Sequence, residues 1–162
     1  MEKSMQAPTT IKKTAMLSLI SITTTGILTS IHHIYRFEFT VLIPALIVVI
    51  LPTILMGWFW KTNSKVALWL YGLFNALIIV WFGIVDGGLD HTLRAISEMV
   101  FIPLGISALV VDIRMLPPSE LTGDFFYELT GILSFITSVF AAYYGYKFIQ
   151  AVRRNNYEIG MM

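Results

Sequence analysis

Four long runs of uncharged, mostly apolar residues dominate the chain, and short clusters of charged residues separate them. The runs cover residues 14–31, 39–60, 66–85 and 129–146. A helix needs roughly 20 predominantly apolar residues to cross the hydrocarbon core of a bilayer. The pattern therefore predicts an all-α integral membrane protein with a single domain over residues 1–162. Its four transmembrane helices are predicted at 14–34, 39–60, 66–85 and 128–147, arranged as an antiparallel bundle.

A fifth uncharged run covers only 13 residues, 99–111, and Pro103 and Gly105 interrupt it. That length is typical of an interfacial or re-entrant segment. An apolar stripe at helical spacing leads into the run; it comprises Leu89, Leu93, Ile96 and Val100. We expect the Gly87-Gly88 pair to end the third helix, and an outer amphipathic or re-entrant segment to follow over residues 89–111.

The charged residues predict the orientation. Cytoplasmic loops of membrane proteins carry an excess of lysine and arginine. With four spans and an internal N-terminus, eight basic residues fall inside: Lys3, Lys12, Lys13, Lys61, Lys65, Lys147, Arg153 and Arg154. Only Arg36, Arg94 and Arg114 fall outside. Both termini are therefore predicted to be cytoplasmic, and a fifth span, which would move the C-terminal basic residues outside, is rejected.

Composition agrees with a membrane location and excludes several chemistries. Apolar residues make up 56% of the chain, charged residues 13%, and the mean hydropathy is +0.75. The chain contains no cysteine, which excludes disulfide exchange and thiolate metal sites. A net charge of +1 gives no indication of nucleic-acid binding. The first apolar stretch ends in His32-His33 rather than a small-residue cleavage site, so we expect a retained helix and not a signal peptide.

Small and hydroxyl residues predict how the helices pack. In lipid, helices associate through close packing of small residues and through interhelical hydrogen bonds. Such residues are concentrated in the first helix (Ser18, Ser21, Thr25, Gly26, Thr29 and Ser30) and in the fourth (Ser134, Ser138, Ala141, Ala142 and Gly145). We expect these two faces to meet.

A polar cluster is predicted at the outer ends of helices one and three, because these ends lie on the same side of an antiparallel bundle. Its candidate metal ligands are His33, Asp86, Asp90 and His91. Imidazole and carboxylate together suit a divalent transition metal or a proton relay. Adjacent His32 and His33 point about 100° apart on a helix, so only one of them faces a shared centre. Haem is disfavoured, since His33 with His91 is the sole plausible axial pair.

Electrostatics offers a simpler interpretation of the same residues. Histidine and arginine at the end of the first helix favour the negative end of its dipole, without any ligand. Asp86 differs, because an acid at a helix C-terminus is disfavoured and calls for a cationic partner. Supporting or solute-path roles are assigned to Asn75, Arg36, Arg94 and Glu98. The outer charges, including His91, would form either an ion-paired surface helix or a lid over the bundle mouth.

Three functions fit the sequence. The first is an accessory or structural subunit of a membrane complex, partnered by other membrane subunits or by copies of itself. The second is a homo-oligomeric transporter or binding protein for a metal ion or small polar solute, and the third is an enzyme acting on a lipid or quinone. Neither nucleotide-binding nor hydrolase motifs occur, so catalysis is undecided. The expected location is the plasma membrane of a bacterium or archaeon.

Overall fold

The computed structural model describes residues 9–101, 103–106 and 124–160, and of residues 155–160 only the backbone. This part of the chain is almost entirely helical and contains no strand. Four helices are labelled here in chain order: α1 (Thr9–Phe37), α2 (Leu42–Thr62), α3 (Lys65–Phe101) and α4 (Phe125–Gly160). Helices α1, α3 and α4 contain the predicted spans 14–34, 66–85 and 128–147, whereas residues 39–41 of the predicted span 39–60 lie in a turn before α2.

Three helical segments are long and apolar enough to cross a membrane: Thr9–Thr62, Lys65–Phe101 and Phe125–Arg154. The first of these contains both α1 and α2, which are joined by a short 3-10 turn at Glu38–Val41. The two helices run antiparallel, since Ser30 Oγ donates to the Ala45 carbonyl oxygen at 3.1 Å while Ile11, near the start of α1, packs in the same cluster as Phe59 near the end of α2. The turn therefore folds this apolar segment back on itself.

Local signals set the boundaries between helices. Asn63 ends α2 in the left-handed conformation (φ 50°), which asparagine tolerates better than most residues. The Ser64 hydroxyl then accepts from the Ala67 amide at 3.3 Å and caps α3. Asp124 accepts from the Tyr127 amide at 3.0 Å and caps α4 in the same way.

Helix α3 continues through the glycine pair, contrary to the sequence-based expectation. It changes from α-helix at Lys65–Ile78 to π-helix at Ile79–Leu93 and continues to Phe101. Gly87 and Gly88 are buried in the π-helical part and pack against α4. The predicted outer segment is thus a continuation of α3 up to Phe101, followed by a turn at 103–105; residue 102 and residues 107–111 of that prediction lie outside the described range.

Helix α4 packs against both α1 and α3. The contact between α1 and α4 is the one predicted from their faces of small residues. Thr29 of α1 donates to Ser134 of α4 at 3.4 Å, and both side chains are buried. Against α3 the approach is closer, because a Cβ on Gly87 would lie 2.6 Å from the Gly131 carbonyl oxygen. The absence of side chains at these positions lets the two backbones come together.

We call the end of the molecule where α1 finishes and α4 begins the upper end, and the opposite end the lower end. Apolar residues fill most of the interior toward the lower end. At the lower end, a cluster joins all four helices: Ile11, Ala15, Leu55, Met56, Phe59, Ala67, Tyr71, Phe148 and Val152. A smaller cluster of Ile22, Ile78 and Ala141 lies above it. Polar side chains become frequent only above this second cluster.

We predict that Gly87→Ala lowers the free energy of unfolding by about 1–3 kcal/mol, because its methyl group would overlap the backbone of α4. Gly57→Ala is the matched control, since nothing lies within 4 Å of a Cβ placed there. The control should be neutral or slightly stabilising because alanine favours a helix. Thermal unfolding in detergent, followed by circular dichroism, measures both; equal stability of the two variants would contradict the packing argument.

Candidate metal centre

Two histidines and one aspartate converge at the upper end of the molecule. His32 comes from the last turns of α1, and Asp86 and His91 come from the π-helical part of α3. Their relative exposures are only 1%, 4% and 2%. Buried charged and imidazole groups are normally paired or bound to a metal, so this cluster requires a physical explanation.

The π-helix explains why Asp86 and His91 share a side of α3. In an α-helix two residues five apart are separated by about 140° around the axis. A π-helix bonds residue i to i+5 and therefore places such residues one above the other. The Thr92 hydroxyl donates to the Gly87 carbonyl oxygen, five residues back, at 2.8 Å.

The facing atoms of the three side chains are close but do not hydrogen-bond. His32 Nε2 lies 3.7 Å from one Asp86 oxygen, and His91 Nε2 lies 3.9 Å from the other. Both distances exceed those of a hydrogen bond. One ligand atom from each residue lies within 4.8 Å of those from the other two, and both Nε2 atoms and both carboxylate oxygens are buried without a hydrogen-bond partner in the described structure.

The opposite nitrogen of His32 is held by α4. His32 Nδ1 lies 3.1 Å from the Tyr127 carbonyl oxygen, which can only accept, and 3.0 Å from the Thr130 hydroxyl. Nδ1 is therefore the N–H donor, and the neutral ring presents a lone pair at Nε2. The Tyr127 ring stacks on the imidazole with centroids 4.2 Å apart, which fixes its plane.

His91 is oriented by a carboxylate. Its Nδ1 donates to a Glu128 oxygen at 2.8 Å, while Arg94 donates to the other oxygen of Glu128. The Arg94 Nε in turn donates to the Asp90 carbonyl oxygen at 2.9 Å, which holds the guanidinium in place. In its neutral form, His91 with Nδ1 as the donor presents its Nε2 lone pair toward Asp86.

Lone pairs thus face one another from three sides. Neutral imidazoles and an ionised carboxylate offer only acceptors to one another, so a cation or a proton between them is needed to join them. A metal bonded at about 2.0–2.2 Å to histidine and carboxylate holds its ligand atoms about 3–4 Å apart. Each histidine lies within this range of one Asp86 oxygen, but the two distances involve different oxygens of the carboxylate. Histidine ligands backed by a carboxylate or a backbone carbonyl through the other nitrogen are the usual outer shell of such sites.

The structure brings Asp86 and His91 together, but it pairs them with His32 rather than with His33. His33 is half-buried, and its Nδ1 donates to the Thr29 carbonyl oxygen of its own helix at 3.0 Å. His32 joins the cluster instead, because its side chain faces α4. Asp90 does not join the cluster; its described role is to accept from Arg94 through the backbone.

The four predicted supporting residues have separate environments. Arg36 donates to the Tyr127 hydroxyl at 2.7 Å, and Arg94 binds Glu128. Glu98 has a half-exposed side chain 3.8 Å from Arg94. Asn75 is buried well below the cluster, on α3 one turn from Tyr71, and its side-chain oxygen has no hydrogen-bond partner among the described residues.

Two supporting residues were missed by sequence reasoning. Neither Glu128 nor Thr130 is among the site residues predicted from the sequence. Their positions on one face of α4, with Thr130 near His32 and Glu128 near His91, follow from how α4 crosses α1 and α3. The sequence did offer one signal for Glu128: it is an acidic residue in the first turn of α4, on the side where the histidine cluster was predicted.

The Arg94–Glu128 pair provides a stability prediction. Arg94→Met leaves a mostly buried carboxylate without its cation, and we expect about 3–5 kcal/mol of destabilisation. Adding Glu128→Gln to that variant should recover part of the loss, because the unpaired charge is removed. Glu98→Gln is the control: it breaks only the half-exposed pair with Arg94 and should cost at most about 1 kcal/mol. The Glu128→Gln single variant completes the double-mutant cycle, and denaturant unfolding measures all four variants. If the effects of the two single substitutions simply add in the double variant, a direct pair is contradicted.

Comparisons of this chain with protein families, with curated proteins and with solved structures return no match. Function therefore has to be argued from the chemistry of the cluster and from the position of the cluster in the helices.

Proposed function

We propose that this chain is a membrane protein with four crossings that binds a divalent transition metal near its outer face. The fold-back between α1 and α2 supports four crossings, since each helix alone has at least 21 residues. The distribution of lysine and arginine supports cytoplasmic termini. In this orientation the upper end, with its histidine cluster, faces outward in a bacterial or archaeal plasma membrane.

The absence of cysteine makes the topology straightforward to test. Thr40→Cys lies in the exposed upper turn, and Lys61→Cys and Arg154→Cys lie at exposed lower positions. In intact cells we expect a membrane-impermeant maleimide to label only the Thr40 variant. The other two should react only after permeabilisation. Labelling of Lys61→Cys from outside would contradict the proposed orientation.

One observation carries the metal proposal: the buried side chains of two histidines and one aspartate converge, and no hydrogen bond joins their facing atoms. A two-histidine, one-carboxylate set suits zinc, iron, cobalt or nickel better than calcium or magnesium, which prefer oxygen ligands alone. His32, Asp86 and His91 would be the ligands, and Glu128, Thr130 and the Tyr127 carbonyl would orient the two rings. Such a metal would also cross-link α1 to α3.

The interior favours binding over passage through the membrane. Directly below the cluster, the hydroxyls of Thr29 and Ser134 bond to each other and to the helix backbone. Below these, Ile22, Ile78 and Ala141 form a buried apolar layer between the cluster and the lower end. An ion that passed these apolar side chains would lose hydration there, so we infer that the metal enters and leaves at the outer face.

Elemental analysis and calorimetric titration with zinc test the proposal. We expect one ion per chain, and His32→Gln, Asp86→Asn and His91→Gln should each weaken binding more than the 10- to 100-fold typical of outer-shell changes. His33→Gln is the matched control, because it alters the adjacent histidine on the same helix and should leave the affinity unchanged. A metal-free wild-type protein that takes up no zinc, or an equal loss in His33→Gln, would overturn the assignment. Circular dichroism verifies that each variant is folded.

A further inference from the structure

The candidate metal centre presents an unusual surplus of unsatisfied acceptors. Resting on the metal proposal, we infer that the ion keeps one coordination position open for an exchangeable water molecule, and that a free oxygen of Asp86 accepts a hydrogen bond from this water. The site would then bind small monodentate ligands in place of water, rather than serve as a closed structural site.

The ligand count is the first argument. Structural zinc sites are closed by four protein ligands, whereas sites that bind water or substrate have three. In the described part of the chain, His32, Asp86 and His91 are the three residues whose ligand atoms group together. Glu128 is not available as a fourth, since one of its oxygens accepts from His91 and the other from Arg94.

The Asp86 carboxylate gives the second, independent argument. One of its oxygens faces His32 and the other faces His91, and both are buried without a hydrogen-bond partner among the described residues. A metal bonded to one oxygen leaves the other as a buried, unsatisfied acceptor, which costs about 1–3 kcal/mol or more for a charged group. A metal-bound water satisfies it, because the water donates a proton to that oxygen while its lone pair binds the metal. The neighbouring groups do not replace this donor, since both histidines donate outward through Nδ1.

The expected ligand class follows from these requirements. It must supply one lone pair to the metal and be small enough to fit beside the aromatic ring of Tyr127, whose centroid lies 4.9 Å from that of the His91 ring. Water, hydroxide and linear anions such as azide meet both conditions. Chelating ligands need two adjacent positions and are not expected to bind without displacing a protein ligand.

The test uses the wild-type chain in detergent, loaded with cobalt(II) or manganese(II) and separated from free metal by gel filtration. With cobalt, azide should shift the visible absorption bands in a saturable titration that ends at one azide per chain. With manganese, water enriched in oxygen-17 should broaden the electron paramagnetic resonance lines, which reports water bound directly to the ion. The His32→Gln/His91→Gln double variant should lose both signals together with the metal.

The possible outcomes distinguish the open coordination position from metal binding itself. Stoichiometric metal uptake with line broadening in oxygen-17 water supports an open position, even where the site is too narrow for azide. Stoichiometric uptake with no broadening and no azide shift overturns the inference and indicates a closed site, while metal binding itself stands. Failure to take up either metal overturns both.

Discussion

The close approach of α3 and α4 is the constraint on which the cluster depends. Gly87 of α3 meets the backbone of α4, and the His91 ring packs against Gly131, where any side chain would overlap it. At this separation the first turn of α4 reaches both histidines, His32 through Thr130 and His91 through Glu128. Larger residues at these positions would separate the helices and leave the imidazoles without partners for Nδ1. The tautomers, and hence the direction of the Nε2 lone pairs, are consequences of backbone packing.

Charge explains why such a cluster needs a cation. Arg94 neutralises Glu128, and Glu98 adds a second, more exposed carboxylate beside it. Neither Asp86 oxygen has a hydrogen-bond partner among the described residues, and the nearest nitrogens of the two facing histidines lie 3.7 and 3.9 Å away. Burying an uncompensated carboxylate is costly, and either a proton or a divalent ion would remove that cost. Only a metal ion also satisfies the two Nε2 lone pairs, which is why we prefer it to protonation of Asp86.

The sequence was sufficient for the helices and insufficient for the cluster. Length and hydropathy predicted an all-helical chain, and the described structure is helical with three segments long and apolar enough to cross a membrane. Hydrophobic periodicity does not predict a π-helix, so Gly87-Gly88 was expected to end the third helix. Asp86 was therefore treated as the last residue of a helix that in fact continues. The dipole argument for a cationic partner of Asp86 therefore rested on a wrong premise, although the residue does face two histidines. The choice of His33 over His32 could not be made from spacing, since it depends on which face of α1 meets α4.

The described structure also changes the order of the functional hypotheses. An accessory subunit was favoured from sequence because no chemical motif was visible, and that argument weakens once three buried ligands with a complete outer shell are found in one place. A packing role alone does not account for them, because hydrophobic residues of similar volume would fill the same space at lower cost. The apolar layer of Ile22, Ile78 and Ala141 argues separately against conduction. Under the proposed function, the cluster is supported from α4 and its metal would exchange at the outer face. The helices would then act as a rigid frame for coordination chemistry rather than as a channel wall.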